Sequence, residues 1–340
     1  MISRSGTARL HGVVERFAGR RVAVLGDIVV DEFLHGEIAR ISREAPVLIL
    51  EHRETIVVPG GGGNAIMNLR ALGADPRPIS VVGRDGPGDR VVAALASAGV
   101  RGLAGILRVS DRPTPTKTRV LAGGVHTRRQ QVVRLDRGTH PAPLDPAVAR
   151  RLRGALAREL DRAEGLLIAD YGLGSAAPEL AGGPARAAVQ RGLPVTVDSR
   201  WRVAKFRGLT ACTPNQEELE QALGLAPLSG ATAVARAGAT LRRRLGHRAV
   251  VVTRGSEGMV LFERGRRPLA VPAFGSDEVA DVTGAGDTVV SAFTLALIAG
   301  AGLADAVRIA NYAAGVVVTK AGTATLTSDE LHRAIDEDSA

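Results

Sequence analysis

Short runs of β-branched and aliphatic residues recur along this chain, and stretches rich in alanine and leucine with helical spacing separate them. The apolar runs have no polar face, which is typical of strands buried on both sides of a parallel sheet. Such strands need helices on both faces to cover them. The pattern therefore predicts a three-layer α/β/α sandwich around a mostly parallel, doubly wound sheet. The predicted strands are residues 21–26, 79–83, 166–169, 195–198, 249–253 and 259–262.

Two segments, residues 36–58 and 112–136, depart from this pattern. Their apolar and polar residues alternate, with turn residues in between. Alternation of this kind is typical of a sheet with one exposed face. We therefore expect a small inserted β-sheet lid, and a core formed by residues 1–35, 59–111 and 137–340.

Composition restricts the classes of function. Among 340 residues, 44 Lys and Arg face 35 Asp and Glu, a formal charge of +9, but the basic residues are scattered. This excess suits either a solvated surface or the binding of small anions. Aromatic residues make up 3%, too few for a platform that stacks single-stranded nucleic acid. One cysteine, Cys212, excludes an internal disulfide framework and a cysteine-based zinc site.

The N-terminal residues lack the apolar core of a signal peptide, and the most apolar stretch, 289–301, is too short to cross a bilayer. We therefore expect a cytoplasmic protein that binds small molecules and neither nucleic acid nor membranes.

The most informative motif is a run of small residues between Asp281 and Asp287, directly before an apolar helical stretch at 288–298. Free backbone N–H groups before a helix can cradle an anion such as a phosphoryl group. Asp287, in the first turn, would face the same point and accept a proton from an attacking hydroxyl. Spacing alone does not separate this role from that of a helix cap. The residues that would form the anion hole are Gly284, Ala285 and Gly286.

A second glycine cluster, residues 60–63, precedes Asn64 and a predicted helix. Glycines permit close approach of a ligand to the backbone, and Asn64 offers a donor and an acceptor to a sugar hydroxyl. The cluster is not a Walker loop, because no Gly-Lys-Ser/Thr follows. Asp27 and Asp31 follow the first predicted strand, where open α/β sheets bind ligands. A flexible turn and helix caps are the alternative interpretations.

Asn215 and Glu218 lie three residues apart at a predicted helix start. They can hold a hydrated Mg²⁺ near nucleotide phosphates. A helix cap followed by a glutamate in the first turn has the same pattern. Farther along, Thr253, Gly255 and Gly258 belong to a glycine turn after a strand, which suits the edge of a nucleotide.

In this order, the motifs resemble those of the ribokinase-like (PfkB) sugar kinases, over roughly residues 20 to 330. The resemblance implies a ribokinase-like fold, ATP-dependent phosphorylation of a sugar hydroxyl with Mg²⁺, Asp287 as general base, and a lid that often mediates homodimers. It also implies a monovalent-cation site, for K⁺, at Asp281 and Thr283. The sugar-binding residues by this resemblance are Asp31, Gly60, Gly61 and Asn64. The nucleotide-binding residues are Asn215, Glu218, Thr253, Gly255, Gly258 and Asn311.

Within this family, residues 40–47, 112–120, 130–136 and 311–318 are similar to the kinase portion of bacterial heptose 7-phosphate kinases. A phosphorylated acceptor would account for three cations of the lid. Solvated charges on lid strands are the alternative interpretation. These cations are Lys117, Arg119 and Arg134.

Two positions depart from the heptose kinase pattern. Leu173 stands where that type has a lysine, and Asp198-Ser199-Arg200 replaces Asp-Pro-Lys. We therefore expect contacts to the acceptor or its phosphates to differ. Two other hypotheses remain: a kinase of an unphosphorylated sugar or nucleoside, and a non-catalytic sugar- or nucleotide-binding protein. Residues 1–340 do not include the nucleotidyl-transferring domain of fused relatives, and we expect no adenylyl transfer from them.

Overall fold

A computed structural model describes residues 4–123, 130–140, 142–275 and 280–338. The helices are α1 (Arg4–Glu15), α2 (Gly62–Ala71), α3 (Gly86–Ser97), α4 (Pro146–Leu160), α5 (Pro178–Gln190), α6 (Gln216–Leu223), α7 (Ala231–Leu245), α8 (Ala285–Ile298), α9 (Leu303–Val318) and α10 (Ser328–Glu337). The strands are β1 (Arg21–Gly26), β2 (Ile28–Ile41), β3 (Leu48–Gly61), β4 (Asp75–Gly83), β5 (Ile106–Val109), β6 (Thr116–Gly123), β7 (Gln130–Arg137), β8 (Gly165–Asp170), β9 (Val195–Ser199), β10 (Ala211–Cys212), β11 (Ala249–Thr253), β12 (Met259–Glu263) and β13 (Leu269–Val271).

The main sheet has nine strands in the order β13-β12-β11-β10-β9-β8-β1-β4-β5. Neighbouring strands run parallel, except that β12 is antiparallel to both β11 and β13. The predicted three-layer sandwich with a mostly parallel sheet is therefore confirmed.

Alternate residues of β1 explain why its sequence has no polar face. Val22 and Val24 pack into the core that contains α1, α2 and α8–α10, whereas Ala23 and Leu25 pack into the core that contains α4–α7. All four side chains are completely buried. Because both faces of the strand leave water, aliphatic residues at every position stabilise the fold.

A second sheet, of four strands in the order β3-β2-β6-β7, forms the lid. It extends beyond the predicted segments 36–58 and 112–136, because β2 begins at Ile28, directly after Asp27, and β3 ends at Gly61. The first four residues of β2 are buried, so they lack the alternation on which the prediction depended. Residues 124–129 of the second predicted segment lie outside the described residues.

The chain changes direction along the main sheet at β1. Strands β4 and β5 lie on one side of β1, and strands β8 to β13 lie on the other side. In open α/β sheets the crevice at such a point, outside the carboxyl ends of the strands, is where ligands bind. Among the described helices, none combines the length and the apolar character that a membrane span requires.

Candidate active site

Asp287 lies in the first turn of α8. Gly284, the N-cap residue before this helix, has a left-handed conformation with φ 82°. Its side chain is 4% exposed. Oδ2 accepts a hydrogen bond from Nδ2 of Asn64 at 3.0 Å, and Oδ1 accepts one from the hydroxyl of Tyr171 at 2.6 Å. Both oxygens of this buried carboxylate are therefore held by neutral donors.

The surroundings of Asp287 give it the acidity of a general base that works near neutral pH. Burial raises the pKa of Asp287 to about 7, while the hydrogen bonds from Tyr171 and Asn64 act in the opposite direction. The negative charges of Asp198 and Asp31 raise the pKa further. A base is most effective when its pKa lies close to the working pH.

A chain of amides and hydroxyls sets the orientation of Asn64. Nδ2 of Asn68 donates to Oδ1 of Asn64 at 3.2 Å, and the hydroxyl of Thr288 donates to Oδ1 of Asn68 at 3.1 Å. Because Oδ1 of Asn64 accepts, its Nδ2 faces Asp287 and also the carbonyl oxygen of Gly284, at 3.3 Å. Asn64 thus holds the Asp287 carboxylate, a role that its sequence context alone does not assign to it.

The predicted anion hole at the start of α8 is formed only in part. The N–H of Ala285 donates to the carbonyl oxygen of Val282 at 3.2 Å, because this residue closes the turn before the helix. Within the described part of the chain, the N–H groups of Gly284, Gly286 and Asp287 have no backbone acceptor. These three groups, rather than Ala285, are available to an anion.

Asp31 lies on β2 and forms an ion pair with Arg119 of β6, both being largely buried. The carboxylate occupies the space beside Gly60, where a Cβ atom would lie 1.9 Å from Oδ2 of Asp31. The guanidinium of Arg119 also lies over the ring of Phe33, 5.2 Å from its centre. A side chain at residue 60 is therefore incompatible with this position of Asp31, and Arg119 already has an anionic partner.

Lys117 and Arg134 lie on the same face of the lid as Asp31 and Arg119, by the register of β2, β6 and β7. Arg134 makes two hydrogen bonds to Asp136, both 2.9 Å, and is half exposed. Nζ of Lys117 lies 5.9 Å from the centre of the Tyr171 ring. Burial lowers the pKa of Lys117. Among the described residues Lys117 has no ion-pair partner, so it is the predicted phosphate ligand that is free to take one.

Asn215 and Glu218 form a reciprocal capping box at the start of α6. The N–H of Glu218 donates to Oδ1 of Asn215 at 2.8 Å, and the N–H of Asn215 donates to Oε2 of Glu218 at 2.9 Å. Burial raises the pKa of Glu218, and the charge of Asp198 raises it further. Within the described residues, no three His, Cys, Asp or Glu side chains converge on a point as metal ligands do. The capping alternative is thus realised, and a divalent ion here would need ligands from water and phosphate.

The glycine turn after β11 lies next to this capping box. The N–H of Thr253 donates to the carbonyl oxygen of Pro214 at 3.0 Å, and Thr253 pairs with Asn215 in a parallel bridge. Gly255 begins the 3₁₀ turn that comes next, and Gly258 follows it. The structure therefore brings the predicted nucleotide turn and the predicted Mg²⁺ residues together at the end of β11.

Asn311, on α9, is 6% exposed and donates its amide to the carbonyl oxygen of Pro272 at 2.8 Å. It lines a cavity of about 230 Å³ with Phe274 and Tyr312. Its amide therefore connects α9 to the segment after β13.

Asp281 organises the loop before α8. Oδ1 accepts from the N–H of Thr283 at 2.8 Å, and Oδ2 accepts from the N–H of Gly322 at 3.1 Å. Partial burial raises the pKa of Asp281, but these hydrogen bonds outweigh that effect and lower it, so the carboxylate stays ionised. The neighbouring Thr323 has a buried hydroxyl without a hydrogen-bond partner in the described residues. The Thr323 hydroxyl oxygen therefore belongs to the residue after Gly322, whose N–H Asp281 holds.

Three residues beside the site have no assigned role in the sequence prediction, although Asp198 and Arg200 belong to the segment that departs from the heptose kinase pattern. Tyr171 follows β8, Asp198 lies at the end of β9, and Arg200 lies over the ring of the exposed Trp201, 5.2 Å from its centre. The signal was available, because each belongs to a strand end that faces the site. A single aromatic or charged residue after a strand is too common a pattern to identify one.

Asp27 and Leu173 have structural roles. The buried carboxylate of Asp27 accepts from the N–H groups of Tyr171, Leu173 and Ser175 at 3.0, 2.9 and 2.7 Å. Of the two interpretations of Asp27, the turn role is therefore the one observed. The side chain of Leu173 is buried, 8% exposed, and its N–H is one of the three that the Asp27 carboxylate holds.

Comparisons with known proteins agree with this geometry. Residues 176–330 match the pfkB family of carbohydrate kinases. The chain is 39% identical to the bifunctional protein HldE of Azorhizobium caulinodans over 320 residues, and 40% identical to that of Geobacter sulfurreducens over 309 residues. The chain is therefore similar to pfkB carbohydrate kinases over residues 176–330, and to the HldE proteins over most of its length.

The similarity to the HldE proteins covers 94% and 91% of this chain, but 65% and 61% of the two relatives, so the chain spans less than two thirds of their length. Solved structures share its fold at low identity. Arabidopsis thaliana ribokinase, complexed with ribose and ATP, has a TM-score of 0.71 at 20% identity, covering 94% of this chain and 99% of the ribokinase. Escherichia coli phosphofructokinase-2 has a TM-score of 0.73 at 21% identity, covering 94% and 100%. The predicted ribokinase-like fold is thereby confirmed.

Proposed function

We propose that this chain transfers the γ-phosphoryl group of ATP to a hydroxyl of a sugar phosphate such as heptose 7-phosphate, giving heptose 1,7-bisphosphate. The observation that carries the proposal is the buried carboxylate of Asp287, held beside the free N–H groups of Gly284 and Gly286. A base and an anion hole at one helix start are the two parts that phosphoryl transfer to an alcohol needs.

In the proposed reaction, the acceptor hydroxyl lies between Asp31, Asn64 and Asp287, over the glycine run that includes Gly60 and Gly61. Asp287 takes the hydroxyl proton as the acceptor oxygen bonds to the γ-phosphorus and the bond to the ADP oxygen breaks. The N–H groups of the helix start stabilise the oxygens of the migrating group. Closure of the lid excludes water, which would otherwise compete as acceptor.

ATP would lie along Thr253, Gly255 and Gly258 and reach toward Asn311. Mg²⁺, when bound, would neutralise negative charge on the β- and γ-phosphates. The residues that would hold it, through water, are Asn215 and Glu218, and Asn215 adjoins the nucleotide turn through its bridge to Thr253. K⁺ suits Asp281 and Thr283, since the free hydroxyl oxygen of Thr323 lies in the adjoining loop.

The phosphate carried by the acceptor would bind Lys117, which has no ion-pair partner among the described residues, with Arg119 and Arg134 contributing charge from the same lid face. The resemblance to heptose 7-phosphate kinases and the identity to HldE proteins support a phosphorylated acceptor. A kinase of an unphosphorylated sugar or nucleoside remains the alternative. A non-catalytic binding protein is less well supported, because the base and the anion hole are both present.

The decisive experiment compares Asp287→Asn with the unaltered protein in an assay of ADP release. We expect turnover to fall by about two to four orders of magnitude, while ATP binding measured by calorimetry is retained. Near-normal turnover of Asp287→Asn would remove it from the role of base.

A panel of phosphorylated and neutral acceptors then identifies the substrate class. We expect Lys117→Ala to raise KM for phosphorylated acceptors far more than for neutral ones. Equal effects on the two groups would contradict the phosphate site in the lid. The cytoplasmic location and the homodimer through the lid stay predictions.

A further inference from the structure

Tyr171 makes the shorter of the two hydrogen bonds to Asp287, although no role has been assigned to it above. Its hydroxyl donates to Oδ1 at 2.6 Å, while Nδ2 of Asn64 donates to Oδ2 at 3.0 Å. Because the two donors hold different oxygens, they restrict rotation of the carboxylate about its Cβ–Cγ bond. The remaining lone pairs of Asp287 are thereby given fixed directions.

The position of the Tyr171 ring does not depend on its hydroxyl. The backbone N–H of Tyr171 donates to Oδ2 of Asp27 at 3.0 Å. The ring lies against Gly61, where a Cβ atom would be 3.3 Å from Cδ2, and Nζ of Lys117 lies 5.9 Å from the ring centre. A phenylalanine would keep these contacts and lose only the bond to Asp287.

We infer that Tyr171 is a positioning residue for the general base: its hydroxyl keeps the Asp287 carboxylate in the orientation and the charge state that accept the proton of the sugar hydroxyl. This inference rests on the proposed function, because a base is needed only if an alcohol is phosphorylated.

The charges around Asp287 make this hydrogen bond important. Asp198, at the end of β9, and Asp31, on β2, face Asp287 with negative charge and raise its pKa, as does burial. From α2, Asp287 receives a hydrogen bond from the neutral amide of Asn64. The cation of the lid that lies over Tyr171 is Lys117. Tyr171 and Asn64 are therefore the groups in contact with Asp287 that favour its ionised form.

The Tyr171 hydroxyl remains a donor throughout the working pH range. Burial raises the pKa of Tyr171 well above its usual value, and the charge of Asp287 raises it further. A donor that does not titrate favours the ionised carboxylate at every relevant pH. Without the Tyr171 hydroxyl, no hydrogen bond at Oδ1 would oppose burial and the neighbouring carboxylates, which raise the pKa of Asp287.

The test is Tyr171→Phe, with Tyr312→Phe as a matched control. The chain has two tyrosines, and Tyr312 donates its hydroxyl to Oδ2 of Asp338 at 2.7 Å, so both variants remove one tyrosine–aspartate hydrogen bond. We expect Tyr171→Phe to move the acid limb of kcat/KM upward by about one pH unit, with KM for ATP unchanged. Tyr312→Phe should leave the acid limb in place.

A second measurement does not depend on activity. In ligand-free protein labelled with ¹³C at the aspartate carboxyl carbon, the Asp287 signal is assigned by its loss in Asp287→Asn. Its titration should move upward in Tyr171→Phe and stay in place in Tyr312→Phe. If Tyr171→Phe does not fold, 3-fluorotyrosine at both positions strengthens the donor and should move the same titration downward.

A lower kcat at every pH with an unmoved acid limb would overturn the inference, since a packing role alone gives that result. An unmoved Asp287 titration would overturn it as well. If no acceptor is phosphorylated, the proposed function fails, and the titration by itself decides whether Tyr171 controls the charge of Asp287.

Discussion

At the scale of single residues, the acidity of Asp287 links stability to pH. Its pKa is about 7 in the folded protein, against an ordinary value of 3.8, chiefly because it is buried. The unfolded chain loses this proton near pH 4 and the folded chain only near pH 7. Stability from this group is therefore complete below pH 4 and is lost as the pH rises toward 7.

We accordingly expect Asp287→Asn to raise the free energy of unfolding at pH 8 by roughly 2–4 kcal/mol, and to change it little at pH 4. Urea unfolding at both pH values measures this difference. Asp305→Asn is the control of opposite sign, because Arg9 lowers the pKa of Asp305, whose contribution is present at pH 8 and lost as the pH falls. An equal effect of Asp287→Asn at both pH values would contradict the burial argument.

At the scale of elements, two glycines at the start of α8 are required for different reasons. Gly284 has φ 82°, and a Cβ there would lie 2.5 Å from Nδ2 of Asn64. Gly284→Ala should therefore lower the free energy of unfolding by about 1–3 kcal/mol. A Cβ at Gly286 meets nothing within 4 Å. Gly286→Ala should therefore keep its stability but lose turnover, because the added methyl group enters the proposed phosphoryl site. If Gly286→Ala has the kcat of the wild-type protein, the phosphoryl site lies elsewhere.

The capping boxes of α6 and α10 allow the structural and the Mg²⁺ roles of Asn215 to be separated. Thr327 and Glu330 form the same reciprocal box at the start of α10. Asn215→Ala and Thr327→Ala should each cost about 1 kcal/mol of stability. Only Asn215→Ala should raise the Mg²⁺ concentration needed for half-maximal activity. Identical Mg²⁺ dependence in the two variants would reduce Asn215 to a helix cap.

At the scale of the whole molecule, the lid leaves large apolar side chains in contact with solvent. Val133 and Leu135 of β7 are 52% and 53% exposed, and others lie on β2 and β3. An exposed apolar patch of this kind is typical of an interaction surface. The exposed apolar residues of the lid and its connections are Ile38, Ile41, Val47, Leu48, Ile56, Val132, Val133 and Leu135.

If the lid joins two copies of the chain, Val133→Asp combined with Leu135→Asp should convert a dimer to a monomer, because a buried charge opposes association. Light scattering after gel filtration measures the mass. Leu225→Asp, at an exposed apolar residue outside the lid, is the control and should leave the mass unchanged. A monomeric wild-type protein would contradict the homodimer.

The fold could be predicted largely from local sequence, because its cause is local. Strands such as β1 are buried on both faces, so every residue must be apolar, and that requirement is visible without coordinates. The lid boundaries could not be predicted, because the first residues of β2 are buried as well and lose their alternation. The motif at 281–287 predicts a base and an anion hole, but its spacing alone does not separate that role from a helix cap, because both place an aspartate in the first turn after small residues.

What only the tertiary structure decided is which partner each of these groups has. Asn64 and Tyr171 are 223 and 116 residues from Asp287 in the sequence, yet each donates a hydrogen bond of 3.0 Å or less to its carboxylate. The ion pair of Arg119 with Asp31 and the engaged N–H of Ala285 likewise depend on contacts that no local pattern records. Sequence alone determined the layers and the chemical groups, since burial leaves a periodic trace; charge states and hydrogen-bond partners arise only when distant segments meet.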